Sequence, residues 1–163
     1  DRPKNKIYYL KNIITKLNYN NLKKINLHKQ EISKYSAVIA RNLKIRKIIK
    51  KKQISIVKKN KNKCVIEGRD SHLIFSKAFV KFYLKSNLKI ASLRRFRELK
   101  KKDKKISLKK VRADLKKRDY SDTTRKHSPL IISKDHVVIR SDKYNKSQML
   151  KKMCEVIESK MKK

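Results

Sequence analysis

The chain has 163 residues, 50 of them lysine or arginine against 13 acidic, for a formal net charge of +37, and 38% of its residues are hydrophobic. That is the length of one domain with enough apolar residues for a modest core, and the charge points toward polyanions. One glycine and two prolines exclude glycine- or proline-rich linkers, a collagen-like repeat and any glycine-rich phosphate loop within these residues.

In chain order, a weakly amphipathic segment around Tyr9, Leu10, Ile13, Ile14 and Leu17 predicts a first helix. Residues 29 to 41 predict a second, with Ile32, Tyr35 and Ile39 on one face. Leu43 to about Lys58 predict a third, carrying Ile45, Ile48, Ile49 and Ile56. Arg46 is the one arginine of that lysine-rich helix, and as pattern alone it reads as a surface charge. The period then changes. Cys64-Val65-Ile66, Val80-Lys81-Phe82-Tyr83-Leu84 and Val137-Val138-Ile139 are short apolar runs separated by helical patterns, the signature of buried parallel strands in an α/β sheet.

The first run ends at Glu67-Gly68-Arg69-Asp70. A turn at the carboxyl end of a parallel strand is where open α/β sheets bind ligands. There the glycine allows close backbone approach, Arg69 offers a fork to a phosphate, and Asp70 can accept from a sugar or base. A plain turn is the other reading of Gly-Arg-Asp. Between the second and third runs lie two helices. One covers about Leu88 to Lys102 with Arg94, Arg95 and Arg97. The other starts at the N-cap Ser107 and stacks Leu108, Val111 and Leu115, a stripe that Arg118 extends inward. A last helix carries Leu150, Met153, Ile157 and Met161, a stripe that reads as core packing.

The run Arg118-Asp119-Tyr120-Ser121-Asp122-Thr123-Thr124-Arg125 organises the rest. If residues 107 to 125 form one helix, Arg118, Asp122 and Arg125 fall at i, i+4 and i+7 on one face. Two planar guanidinium forks and one carboxylate suit an anionic ligand that also presents donors, such as a nucleotide. A solvated, salt-bridged surface is the competing reading.

Cys64 and Cys154 show no C-x-x-C spacing and make no metal-ligand pattern with His28, His72, His127 or His136. No metal site is predicted, and a reducing cytoplasm is the expected location. No apolar run approaches the roughly 18 residues of a membrane span, and no secretory leader pattern opens the chain. Lysine, isoleucine and asparagine dominate together, as AT-rich coding DNA would produce, which weakens the charge as evidence for a nucleic-acid partner.

Taken together these residues resemble a bacterial cytidylate kinase whose N-terminal part is missing. The resemblance is carried by Val65-Ile66-Glu67-Gly68-Arg69-Asp70, Phe75, Ala78, Val80 to Leu84, Arg94-Arg95, Glu98-Leu99, Lys117-Arg118-Asp119, Asp122, Arg125 and Ser128-Pro129-Leu130. Upstream, Gln30-Glu31-Ile32, Ala37-Val38, Ile45-Arg46 and Gln53 follow in order. The resemblance covers roughly residues 27 to 163. It implies an α/β, P-loop nucleoside monophosphate kinase-like three-layer fold with a parallel sheet. Residues 1–60 would be the nucleotide-monophosphate-binding helical insert, 61–163 the remainder of the core, and about 94–125 the lid.

By the same resemblance Arg46, Arg69, Asp70, Arg118, Asp122 and Arg125 hold CMP or dCMP, and Arg94 and Arg95 belong to the catalytic lid. ATP and Mg²⁺ are implied as donor and cofactor, in a monomeric cytoplasmic enzyme with no membrane partner. Non-specific polyanion binding at low salt is also expected. The sequence departs from the family in several places. The G-x-x-x-x-G-K-[ST] loop is absent. Ser71-His72-Leu73 replaces a stretch that normally holds a second glycine, Ser76 replaces a usual proline, and Arg140 stands where an aspartate is usual. The 163 residues alone are therefore expected to be inactive, as a piece of an enzyme or a degenerate relative. The alternatives are a basic RNA- or ribosome-associated module derived from a kinase, and a kinase of another nucleoside monophosphate.

Overall fold

A computed structural model describes residues 6–17, 32, 35, 36, 39, 42–60, 63–101 and 103–162. It divides into two compact units, Asp1–Ile66 and Glu67–Lys163.

In the first unit, α1 (Lys6–Lys16) packs on α2 (Leu43–Lys59). The start of α2 is fixed chemically, because the side chain of Asn42 accepts from the backbone N–H of Lys44 at 2.9 Å and of Ile45 at 3.3 Å. One turn in, Ile45 is buried. Lys52 ties the pair by donating to the Thr15 carbonyl at 2.7 Å. The helix expected over 29–41 lies largely outside the described residues; Ile32, Tyr35, Ser36 and Ile39 of it are helical.

The strand expected at Cys64-Val65-Ile66 is not found. Residues 63–68 pair with no strand among the described residues, and Val65 is 99% exposed. Its apolar run supplies β-propensity, but a parallel strand is stable only with a neighbour and covered faces, and this segment has neither.

The second unit holds a two-stranded parallel sheet of β1 (Lys81–Lys85) and β2 (His136–Arg140), in register from Lys81 opposite His136 to Lys85 opposite Arg140. A short helix, α3 (Ser71–Ile74), precedes β1. Two helices, α4 (Leu88–Lys100) and α5 (Leu108–Thr124), make the long crossover that a parallel pair requires, and they pack on each other. The chain ends with α6 (Lys146–Met161), opened by a capping box between Asn145 and Gln148. An α/β chain with a parallel sheet is what the sequence implied, though the sheet has two strands among the described residues.

The core is thin. Ile45, Val111 and Ile139 are the buried apolar side chains among the described residues. Val111 of the stripe on α5 goes inward as expected, whereas Leu108 is exposed and Arg118 points outward, its side chain 62% exposed. The stripe on α6 is also corrected. Met153 and Ile157 are half-buried, but Leu150 and Met161 face solvent because no layer covers that side of the helix among the described residues.

Candidate functional site

The C-terminal turn of α5 gathers the chemistry. Its N-terminus is set by Ser107, whose hydroxyl accepts from Lys110 N–H at 3.2 Å. Its other end is undone by side-chain competition. The hydroxyls of Thr123 and Thr124 donate back to the carbonyls of Asp119 and Tyr120, and the helix stops at Thr124. Arg125 therefore leaves the helix in extended backbone (φ −64°, ψ 140°), one residue short of the helix expected through 125. The following loop turns back through Ser128, a non-glycine residue at φ 53°, and Leu130 N–H donates to the Asp122 carbonyl at 2.7 Å.

That turn brings three guanidinium groups onto one carboxylate. Arg125 Nη1 donates to Asp122 Oδ1 at 2.9 Å, while its Nε donates to the Ser128 carbonyl at 2.6 Å. Arg69, fifty residues upstream of Asp119, places Nη1 at 2.9 Å from Asp122 Oδ2. The hydrogen bond of that nitrogen goes instead to Asp119 Oδ1, at 2.7 Å. Arg118 Nε lies 3.9 Å from Asp122 Oδ2, too far for a hydrogen bond. Asp122 is only 14% exposed at the centre. Two buried atoms here have no hydrogen-bond partner, Asp122 Oδ2 and Arg125 Nη2.

The expected residues thus separate into groups. Arg69, Arg118, Asp122 and Arg125 converge. Asp70 adjoins them in sequence and stands at the N-cap position of α3, its carbonyl accepting from Leu73 and Ile74 N–H. Arg46 is half-buried on α2 in the first unit. Arg94 uses its fork elsewhere, donating to the carbonyls of Ser141 at 2.8 Å and Tyr144 at 3.2 Å, and so pins the turn after β2. Arg95 pairs with Glu98 on its own helix at 3.2 Å.

The Gly-Arg-Asp turn was expected beyond the carboxyl end of a strand. Here no strand leads into it, and His72, two residues on, sits edge-to-face against His136 at the start of β2, with ring centroids 5.1 Å apart. Gly68 has ordinary φ, and a Cβ there would meet nothing closer than 3.6 Å. The fold itself therefore does not demand a glycine at 68.

Asp119, quoted among the residues that carry the resemblance, was given no role in the site from the sequence. Its partner Arg69 is too distant in the chain for helix spacing to reveal the pair. Ser128 carries none of the glycine or asparagine signals for positive φ. The Arg140 departure has a local resolution, because Asp142 takes its guanidinium bidentately at 3.1 and 2.9 Å. That contact holds the Asp142 carboxyl down to about 2. At the other end of the sheet, Lys81 and Ser133 hydrogen-bond Asp135 and hold its carboxyl well below the usual range.

With this geometry in place, the comparisons are decisive about kinship. The cytidylate kinase family profile matches residues 4–159. The chain belongs to the cytidylate kinase family. A cytidylate kinase of Clostridium botulinum (strain Okra / Type B1) is 32% identical over 128 residues, 78% of this chain and 56% of that protein. A probable cytidylate kinase of Vairimorpha ceranae is 31% identical over 145 residues, 88% of this chain and 65% of that protein. A cytidylate kinase of Clostridium tetani is 36% identical over 100 residues, 61% of this chain and 44% of that protein. The chain thus spans between about half and two thirds of the length of the first two relatives. Membership in the cytidylate kinase family implies the P-loop nucleoside monophosphate kinase fold.

The described residues do not form a cage for Mg²⁺. No cluster of three His, Cys, Asp or Glu side chains occurs among them, and Asp119 and Asp122 are engaged by arginines. No step is assigned to the ion.

Proposed function

We propose that this chain carries the acceptor-nucleotide site of a kinase that phosphorylates CMP or dCMP with ATP. The observation that supports it is the buried pair Asp122 Oδ2 and Arg125 Nη2, an acceptor and a donor without hydrogen-bond partners inside a cluster of three arginines, Oδ2 being ion-paired to Arg69 at 2.9 Å. Buried polar atoms are nearly always hydrogen-bonded, so a cluster that leaves one of each sign unmet suits a ligand offering both signs. A nucleoside monophosphate does, with acceptor oxygens on its phosphate and donor hydroxyls on its sugar. Arg118 Nε, on a side chain 62% exposed, lies 3.9 Å from Oδ2, too far for a hydrogen bond, and in this reading turns to the ligand.

In this reading Arg69, Arg118 and Arg125 neutralise and orient the acceptor phosphate, and Asp122 and Asp70 accept donors from sugar or base. By the family resemblance Arg46 is read as a CMP-binding residue, and residues 1–60 as the monophosphate-binding insert of a three-layer fold. Residues 94–125 act as the lid, with Arg94 and Arg95 turning to the phosphates on closure. Phosphoryl transfer asks little covalent chemistry of the protein; positioning and charge neutralisation carry it, which is why arginines rather than a nucleophile dominate. Gly68 fits the same picture, since a glycine that the fold does not need leaves room for a ligand's approach.

The test is calorimetric titration and coupled turnover with the full-length gene product. CMP is expected to bind and to be phosphorylated in preference to AMP and UMP; absence of CMP binding would end the proposal. Residues 1–163 alone, which contain one glycine and so no glycine-rich phosphate loop, are expected to show no ATP-dependent conversion of CMP to CDP.

A further inference from the structure

The contact between Arg69 and Asp119 has no part in the acceptor site so far. Arg69 offers three donor nitrogens. Nη1 is held by Asp119 Oδ1 in a 2.7 Å hydrogen bond and lies beside Asp122 Oδ2 at 2.9 Å. Among the described residues Nε and Nη2 have no protein partner, and the side chain is about one-third exposed. A guanidinium fixed by one terminal nitrogen therefore presents its side-on edge, two parallel N–H donors with the spacing of two oxygens of a phosphate.

The carboxylate that fixes it differs in kind from Asp122. Asp119 is 54% exposed and meets Arg69 alone, whereas Asp122 is enclosed and shared by several arginines. As an exposed ion pair Asp119–Arg69 contributes little to stability. Its effect is directional. It orients the two N–H groups of Nη1 so that one donates to Asp119 and neither is aligned on Asp122 Oδ2, although that oxygen lies within 3 Å. Without Asp119 a small rotation would let Nη1 donate to Asp122 Oδ2 and turn the free edge with it.

We propose that Asp119 is a positioning residue for substrate phosphate: by holding Nη1 of Arg69, it aims the Nε–Nη2 edge at the acceptor's phosphate. This rests on the acceptor-site reading above and deepens it. Asp119 touches no substrate and acts through Arg69. It therefore governs the phosphate-dependent part of affinity and leaves recognition of the nucleoside untouched.

The experiment compares wild type, Asp119→Ala, Asp119→Asn, Arg69→Lys and the Asp119→Ala/Arg69→Lys double variant of the full-length gene product. CMP and cytidine are titrated into each, with unfolding temperature recorded alongside. Asp119→Ala is expected to weaken CMP about tenfold, raising KM with kcat within about twofold, while cytidine binding and unfolding temperature hold. Asp119→Asn keeps an acceptor for Nη1 and should recover most of the loss. In the Arg69→Lys background the Asp119→Ala change should have little further effect, because the fork it aims is gone. Equal losses for CMP and cytidine, an undiminished loss in the Arg69→Lys background, or tighter CMP binding would each overturn the proposal. Failure of the site reading is read separately, from Arg125→Lys. If that variant binds CMP like wild type, the acceptor site is misplaced; if it loses affinity while Asp119→Ala does not, only the role of Asp119 fails.

Discussion

Arg125 and Asp122 are joined at 2.9 Å although the helix that carries Asp122 ends between them. The arginine reaches back from extended backbone, and its second donor is taken by the Ser128 carbonyl of the loop that follows. One side chain thereby closes the helix end and joins the proposed acceptor site. Lysine lacks the planar fork that presents Nε and Nη1 to the two acceptors in one fixed geometry. Arg125→Lys is therefore expected to weaken CMP binding at least tenfold and to destabilise the protein by about 1.5 kcal/mol, the scale of a charge-assisted hydrogen bond. Calorimetry with CMP and denaturant unfolding read the two effects; no change in either would return Arg125 to an ordinary surface charge.

Gly68 gives a prediction of opposite sign for folding and binding. Its φ is unstrained and its nearest neighbour to an added Cβ is ordinary contact, so Gly68→Ala should fold, and gain up to about 0.5 kcal/mol from a stiffer unfolded chain. If a nucleotide approaches the backbone at this turn, the same methyl should lower CMP affinity. A variant that is both fully stable and fully active would remove Gly68 from the site.

The pH response centres on His72, whose imidazole is pushed below its ordinary value first by burial and then by the neighbouring charges of His136 and Lys81, against the opposing pull of Asp70 and Asp135. Its Nε2 is buried without a partner. Because the folded value lies below the unfolded one of about 6.5, the neutral ring favours the fold above that pH. That advantage is lost as pH falls through the lowered value. Melting temperature should drop between pH 7.5 and 5, and His72→Gln, neutral throughout, should flatten the drop. An identical slope in both proteins would clear His72 of the effect. The Arg140–Asp142 pair belongs to a separate acid window, from the usual carboxylate range down to about 2.

A net charge of +37 predicts non-specific RNA binding at low salt through counterion release, whatever the chain's role. Affinity for an arbitrary RNA should collapse between roughly 50 and 200 mM salt, with little sequence preference. Tight, sequence-selective binding that persists at the higher concentration would instead favour the kinase-derived RNA-associated module.

Much of this was legible in the chain because it is local. Periodicity located α2, α5 and α6, and the N-cap Ser107 marked the start of α5; the caps at Asn42 and Asn145–Gln148, equally local, were added by the structure. The spacing of Arg118, Asp122 and Arg125 likewise announced a shared face. Other features depended on what lies across space. Val65 has the composition of a buried strand and is fully exposed, because pairing needs a neighbour that no propensity supplies. Leu150 and Met161 lie on the apolar stripe of α6 and face solvent, while Met153 and Ile157 of the same stripe are half-buried. Asp119 accepts a hydrogen bond from Arg69, fifty residues away, while the nearby and more enclosed Asp122 does not. Residue order fixes which groups share a helix turn, since three or four residues return to the same face. Which carboxylate an arginine faces is decided by how the crossover helices pack, because a hydrogen bond depends on a few tenths of an ångström and on direction, and neither is written in the spacing of the sequence.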